Sequence, residues 1–232
     1  MRQRVARAVV VSIGLVVLVS GCGGGAPPVD DDGEPTNGGP VAGVTVTGSV
    51  QDWPGGTDTI TVNDRGAFFF PTGGGAVTTL GTGAIAADGS FEVTLPGDPG
   101  GAFVTLVPDT VTTFGCDASG VAIDPAGAQL LLASFDAEAG GLAFGLQQGS
   151  STLFVAPEPG DHRVFHVYAD RDVTVSGSET CPAIPFFLEY DLAFSEGWNT
   201  FTALFVSQTD ARNYVVESGP PPSASVWFLP SW

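Results

Sequence analysis

Beyond residue 43 the chain is written in twos. In GVTVTGSV, at 43–50, Val44 and Val46 share one face and Thr45 and Thr47 the other; TITVN aligns Ile60 with Val62, and SFEVTL aligns Phe91, Val93 and Leu95. FFLEYDLAF, at 186–194, sets Phe186, Leu188, Tyr190 and Leu192 inward against Glu189 and Asp191 outward. Successive side chains of a strand point to opposite faces, so this repeated period of two predicts β-sheet and leaves little for helix to use. Gly (33 residues) and Pro (18) separate the runs, which predicts short strands joined by tight turns. The clearest hairpin is AIAADGSFEVTLP, whose strands meet across Ala87, Asp88 and Gly89. An Asp-Gly pair supplies the positive-φ residue that such a turn requires.

A length of 232 residues allows one or two domains with cores of their own. The expected architecture is all-β, an antiparallel β-sandwich of one or two Greek-key-like domains behind a disordered tether. The expected divisions are a small sandwich at 43–107, a connection at 108–125 and a second β-rich domain at 126–232. AFVTLV, at 102–107, closes the first group, and the AFFF run at 67–70 has apolar residues on both faces. AQLLLASF, at 128–135, is apolar on both faces and reads as a buried strand or a short helix, with strand favoured because Gly127 and Asp136 flank only eight residues; it is expected to pair with LAFGLQ, at 142–147, across Ala139, Gly140 and Gly141. The last block reads as strands at TLFV, HRVFHVYA, DVTVSGS, FFLEYDLAF, TFTALFV, NYVVES and SVWFL, with Trp198 over a hairpin end at SEGWN. A rival is a membrane barrel ending in Trp232, but Pro230 has the parity of Val226, Phe228 and Trp232 and would break the last ladder.

Residues 1–21 have the parts of an export signal: Arg2, Arg4 and Arg7, then an apolar run at 8–19 broken by Ser12 and Gly14, then Ser20 and Gly21. A permanent membrane helix needs roughly 20 apolar residues, more than this run offers. The sequence Val19, Ser20, Gly21, Cys22 resembles the lipobox of bacterial lipoproteins. That resemblance implies diacylglycerol thioether-linked to Cys22, cleavage before it and acylation, as by palmitate, of the new amino terminus. Several acyl chains anchor stably where one binds reversibly. Gly23 follows the cysteine, where Asp would imply retention on the inner membrane, so the outer membrane of a two-membrane cell is the expected location. Residues 22–42 are rich in Gly, Pro and acids and are expected to form a lipid-anchored flexible linker, with a reach of about 25 Å and a stretched limit near ~70 Å. The opening VTVTGSV and the later DGSFEVTLP resemble the carboxypeptidase-regulatory-like or transthyretin-like sandwiches of exported bacterial proteins. The implied role is that of a noncatalytic β-module.

Charge and chemistry narrow the function. All seven basic residues are Arg, and after Cys22 four Arg face 25 acids, net −21. Nucleic-acid binding, which depends on clustered cations, is excluded on that balance. Cys116 and Cys181 remain as an even pair in an oxidising compartment and are expected to form a disulfide, closing a loop that contributes about 4 kcal/mol on the chain-entropy model. His162 and His166 share a strand face with Tyr168 and Asp170, but residues four apart on a strand are about 13 Å apart, too far to share one metal. That face is expected at the surface. No cofactor and no metal site are expected, and the only calcium candidates are Asp170 and Asp172, flanking Arg171 in a turn. No GxSxG, no HExxH and no Lys is present, so no catalytic residue is assigned and the chain is not expected to be an enzyme. The expected function is a structural or protein-interaction module of the cell envelope, with a membrane held through the lipid and an envelope protein as partner. Trp53, Trp227, Phe187 and Tyr168 are its candidate contact residues. The alternatives are a small-ligand or calcium-binding lipoprotein and, after that, an envelope hydrolase.

Overall fold

The computed structural model describes residues 42–64, 77–101, 103–108, 116–139, 142–150, 157–181 and 185–229. Cys22, the expected signal and tether, and the runs at 67–70 and 152–155 lie outside the described residues. Residues Gly39–Trp232 belong to one compact unit.

The first strands are β1 (Val44–Gln51), β2 (Asp58–Asp64), β3 (Thr79–Ile85), β4 (Ser90–Leu95) and the short β5 (Val104–Thr105). Next come β6 (Asp117–Asp124), β7 (Gln129–Ala139), β8 (Leu142–Gly149) and β9 (His162–Ala169). The chain continues through β10 (Val173–Cys181), β11 (Phe186–Phe194), β12 (Gly197–Gln208), β13 (Arg212–Ser218) and β14 (Val226–Phe228). The turn between β3 and β4 is built as its residues require. Gly89 takes a φ of 82°, and the Asp88 carboxylate accepts the Ser90 N–H and O–H at 3.0 and 2.6 Å. Those two donors hold the Asp88 carboxyl below its usual pKa.

The ladders run β7–β2–β3–β4–β1–β14–β8–β9 and return from β9 to β7, closing an eight-stranded barrel. β7 makes the closure by changing partner. Leu130, Leu131, Leu132 and Ala133 pair with β9, whereas Phe135 to its last residue, Ala139, pair with β8. β14 enters parallel to β1, with Val50 opposite Trp227, and antiparallel to β8. From β9 the sheet continues through β12, β13, β11 and β10 to β6, with β11 and β13 parallel.

This corrects the expected antiparallel Greek-key sandwich. The period of two fixes which face of each strand is buried, and it is silent on whether a sheet closes on itself or which distant strands meet. Closure here rests on pairings between chain segments far apart, β1 with β14 and β2 with β7. β5 is also shorter than the expected strand at 102–107 and pairs with β7 rather than with the preceding hairpin.

Alternation puts one face of each barrel strand into a core of Val50, Ile60, Val62, Ile85, Phe91, Val93, Leu95, Leu131, Phe135 and Trp227, among others. The opposite face of β4 carries Ser90, Glu92 and Thr94, all exposed. A membrane barrel has the reverse arrangement, apolar outside. A second core lies on the other face of β7 and β9, where Leu130, Phe165, Val167 and Ala169 pack with Tyr190, Leu192, Phe201 and Phe205.

Trp227 locks β14 into the barrel. It lies edge-on to Phe91 and Phe135 at 5.2 and 4.8 Å, and a Cβ at Gly48 would sit 2.5 Å from its indole. Trp227→Ala is expected to lose about 3 to 5 kcal/mol in a denaturant titration, and Gly48→Ala about 1 to 3 by overpacking. Val206→Ala, at an exposed position, stays within about 0.5 kcal/mol of the parent. A Trp227→Ala chain as stable as the parent contradicts this packing.

Candidate functional site

The expected disulfide is formed. Cys116 precedes β6 and Cys181 ends β10, strands that pair with Asp117 opposite Thr180, so the bond staples edge strand β6 onto β10 across 65 residues.

The two calcium candidates are occupied otherwise. Asp170 Oδ1 accepts the Gln129 N–H at 2.7 Å, and its backbone N–H donates to Gln129 O, so Asp170 fastens the start of β7 to the end of β9. Its Oδ2 takes two donors from Arg171, at 3.0 and 2.8 Å, in an exposed pair of small energetic weight. Asp172 Oδ1 accepts the Glu196 N–H at 2.8 Å, fixing the turn that leads into β12.

The histidine face does not lie at the surface as its sequence suggests. His162, His166 and Tyr168 share the face of β9 that turns toward the barrel and the segment leading to β14. Tyr168 is buried, edge-on to Trp198 and to Phe103, and the Trp198 indole N–H donates to Pro96 O at 2.7 Å. Trp198 therefore fastens the barrel rather than covering its own hairpin end. Of the four candidate contact aromatics, Trp227 and Tyr168 are core residues, while Trp53 and Phe187 are half-buried.

His166 sits 5.0 Å from the Phe135 ring, stacks on Trp227 at 5.7 Å, and places Nε2 2.9 Å from Gln148 Oε1. Burial among these rings pushes its pKa down to about 4, so it is a neutral ring there at pH 7. With Gln148 Oε1 accepting, Nε2 carries the proton.

His162 is held at both ring nitrogens. Its Nε2 lies 2.8 Å from Ser225 Oγ, and its Nδ1 lies 3.3 Å from Gly160 O. A hydroxyl on an imidazole whose far nitrogen is hydrogen-bonded resembles a nucleophile and base. The carboxylate that completes such a set is engaged elsewhere, because Asp161 accepts from Ser150 Oγ at 3.0 Å and from the Glu158 N–H at 2.8 Å. The pair also ends a segment pinned at Gly219, whose carbonyl accepts from Thr200 Oγ1 at 2.6 Å and whose N–H donates to Thr200 O. With His162 only 4% exposed, Ser225 works as a fastener for that segment.

The residue that the sequence reading overlooked is Glu179. In VTVSGSETC it has the parity of Val173, Val175 and Cys181, all buried, and it is itself 4% exposed. Tyr190 Oη donates to its Oε1 at 2.9 Å, while Oε2 is buried with no hydrogen-bond partner. Desolvation raises the carboxyl pKa, against the opposing effect of the Tyr190 hydrogen bond, and burial with the adjoining carboxyl raises that of Tyr190. A carboxyl oxygen of Glu179 and the sulfurs of Cys116 and Cys181 all lie within 4.8 Å of one another. With the sulfurs bonded to each other, this group lacks the thiolates that a metal would need. The signal for Glu179 was legible as an acid on the apolar parity of a strand.

His166 yields a pH prediction. Its folded pKa lies below the ordinary 6.5, so the unfolded chain binds the extra proton first; the stability from keeping the ring neutral is complete above pH 6.5 and is lost as pH falls toward 4. The loss reaches about 3 kcal/mol at pH 4, and a His166→Phe chain lacks that part of the acid sensitivity. Ring-proton NMR is expected to place the His166 midpoint near 4; a midpoint near 6.5 contradicts the packing of this half-buried ring against Phe135 and Trp227.

Comparison with protein-family models, with curated proteins and with solved structures finds no match to this chain.

Proposed function

We propose that the chain is a noncatalytic lipoprotein of the cell envelope, an acidic structural or interaction module held off the membrane by lipid at Cys22 and the tether behind it, on the outer membrane where the cell has two. The observation that carries this reading is the filled barrel. Eight-stranded barrels either pack their interior with side chains or hold one small ligand. Here Ile60, Val62, Ile85, Val93, Leu95 and Leu131 are all buried in the interior, which supports a scaffold whose working surface is its outside. The net charge of −21 after Cys22 favours a partner with a basic face.

Two measurements test it. Cys22→Ser is expected to move the protein out of the membrane fraction, and a variant that stays there overturns the anchor. Crosslinking in intact cells followed by mass spectrometry is expected to join the chain to a defined envelope protein. Recovery of the chain alone or joined only to lipid counts against the interaction reading.

Melting is expected to be the same with added calcium and with chelator, because Asp170 and Asp172 already accept backbone N–H donors. A rise with calcium that is lost in Asp172→Asn favours the cation-binding alternative.

A further inference from the structure

Glu179 is unusual in two respects at once. It is a carboxyl on the core parity of β10 with one oxygen orphaned, and it adjoins the disulfide of the chain. An unpaired buried carboxylate is costly, which favours the protonated form of a group whose Oε1 accepts from Tyr190 Oη while its Oε2 has no partner. A carboxyl oxygen of Glu179 lies within 4.8 Å of both sulfurs. The two sulfurs differ in access: Cys116 is half-buried and adjoins the exposed Asp117, whereas Cys181 is 4% exposed and belongs to the core.

We propose that the Cys116–Cys181 bond is a thiol–disulfide exchange site in which an external thiol attacks Cys116 and Glu179 supplies the proton to Cys181. The thiolate of the reductant bonds to Cys116 Sγ, the Sγ–Sγ bond breaks, and its electron pair goes to Cys181 Sγ. That sulfur takes the proton from the Glu179 carboxyl, leaving a carboxylate that keeps the Tyr190 hydrogen bond. The thiolate of a second external thiol then attacks the external sulfur of the mixed disulfide, Cys116 leaves as a thiolate and takes a proton from water, and two external thiols have become one disulfide while the protein disulfide has become two thiols. In reoxidation the Glu179 carboxylate recovers the proton. Transfer runs downhill because a thiol buried in apolar surroundings holds its proton more tightly than the carboxyl does. The acidic field of the chain selects the reductant: a neutral or cationic thiol, or a dithiol on a basic protein surface, approaches Cys116 more readily than an anionic thiol does. This goes beyond the interaction reading and does not rest on it.

The test uses the folded chain with cysteamine, a cationic thiol, as the probe, quenched by alkylation and mapped by mass spectrometry. The expected first product carries cysteamine on Cys116 and a free thiol at Cys181. Glu179→Gln is expected to open at least about ten times more slowly, as loss of an acid catalyst requires, while Glu92→Gln, exposed on β4, opens at the parent rate. A misfolded Glu179→Gln chain would open faster, so slowing is not reproduced by damage to the fold. An adduct on Cys181, a Glu179→Gln rate equal to that of the parent, or opening independent of cysteamine concentration overturns the proposal.

Discussion

Two strands buried on both faces hold the molecule together. β7 and β9 pair side by side, and their alternation sends Leu131 and Tyr168 into the barrel but Leu130, Val167 and Ala169 into the second core. Burying apolar area contributes roughly 25 cal/mol per Å², and a strand covered on both faces collects it twice per length. Everything else attaches to this wall. The barrel closes because β7 passes from β9 to β8 along its eleven residues, and the second core exists because β9 is continued by β12. The polar contacts at its ends have the same purpose: Asp170 ties β9 to the beginning of β7, and His166 meets Gln148 of β8 where the three strands converge.

Much of this was legible strand by strand. The parity of Phe91, Val93 and Leu95, of Ile60 and Val62, and of Tyr190 and Leu192 names residues that are buried, and the Asp88-Gly89 turn forms as its chemistry dictates. The segment at 128–135, apolar on both parities, was favoured as a strand over a short helix, and it is a strand whose Leu130 and Leu131 enter different cores. What alternation lacked was the identity of distant partners. Trp227 belongs beside Val50 through a parallel pairing that no local pattern announces, and the closed barrel follows from it. The same gap misplaced the histidine face, since parity told that His162, His166 and Tyr168 share a side but gave no clue that the barrel lies on that side.

The candidate chemistry divides along a similar line. Composition pointed to the disulfide, and the chain forms it. Acids in turns, Asp170 and Asp172, drew attention as cation ligands, yet short carboxylates in turns most readily satisfy backbone N–H groups, and these two do. The consequential acid is the one out of place by parity. Glu179 occupies a position that Val173 and Val175 mark as apolar, with a tyrosine to satisfy one oxygen and a disulfide near the group. A core that accepts such a residue carries a cost that neutral packing would avoid, which is the physical reason for assigning it a part in the chemistry of the neighbouring sulfurs.

The central structural claim is that strands from both halves of the chain form one closed barrel around the β7–β9 wall. Amide hydrogen exchange on the folded chain tests it most directly. The account predicts that β1, β2 and β4 open together with β7 and β9 in one cooperative unit, with the amides of β7 and β9 among the slowest. Exchange of 43–107 as a unit independent of 126–232 would contradict the barrel.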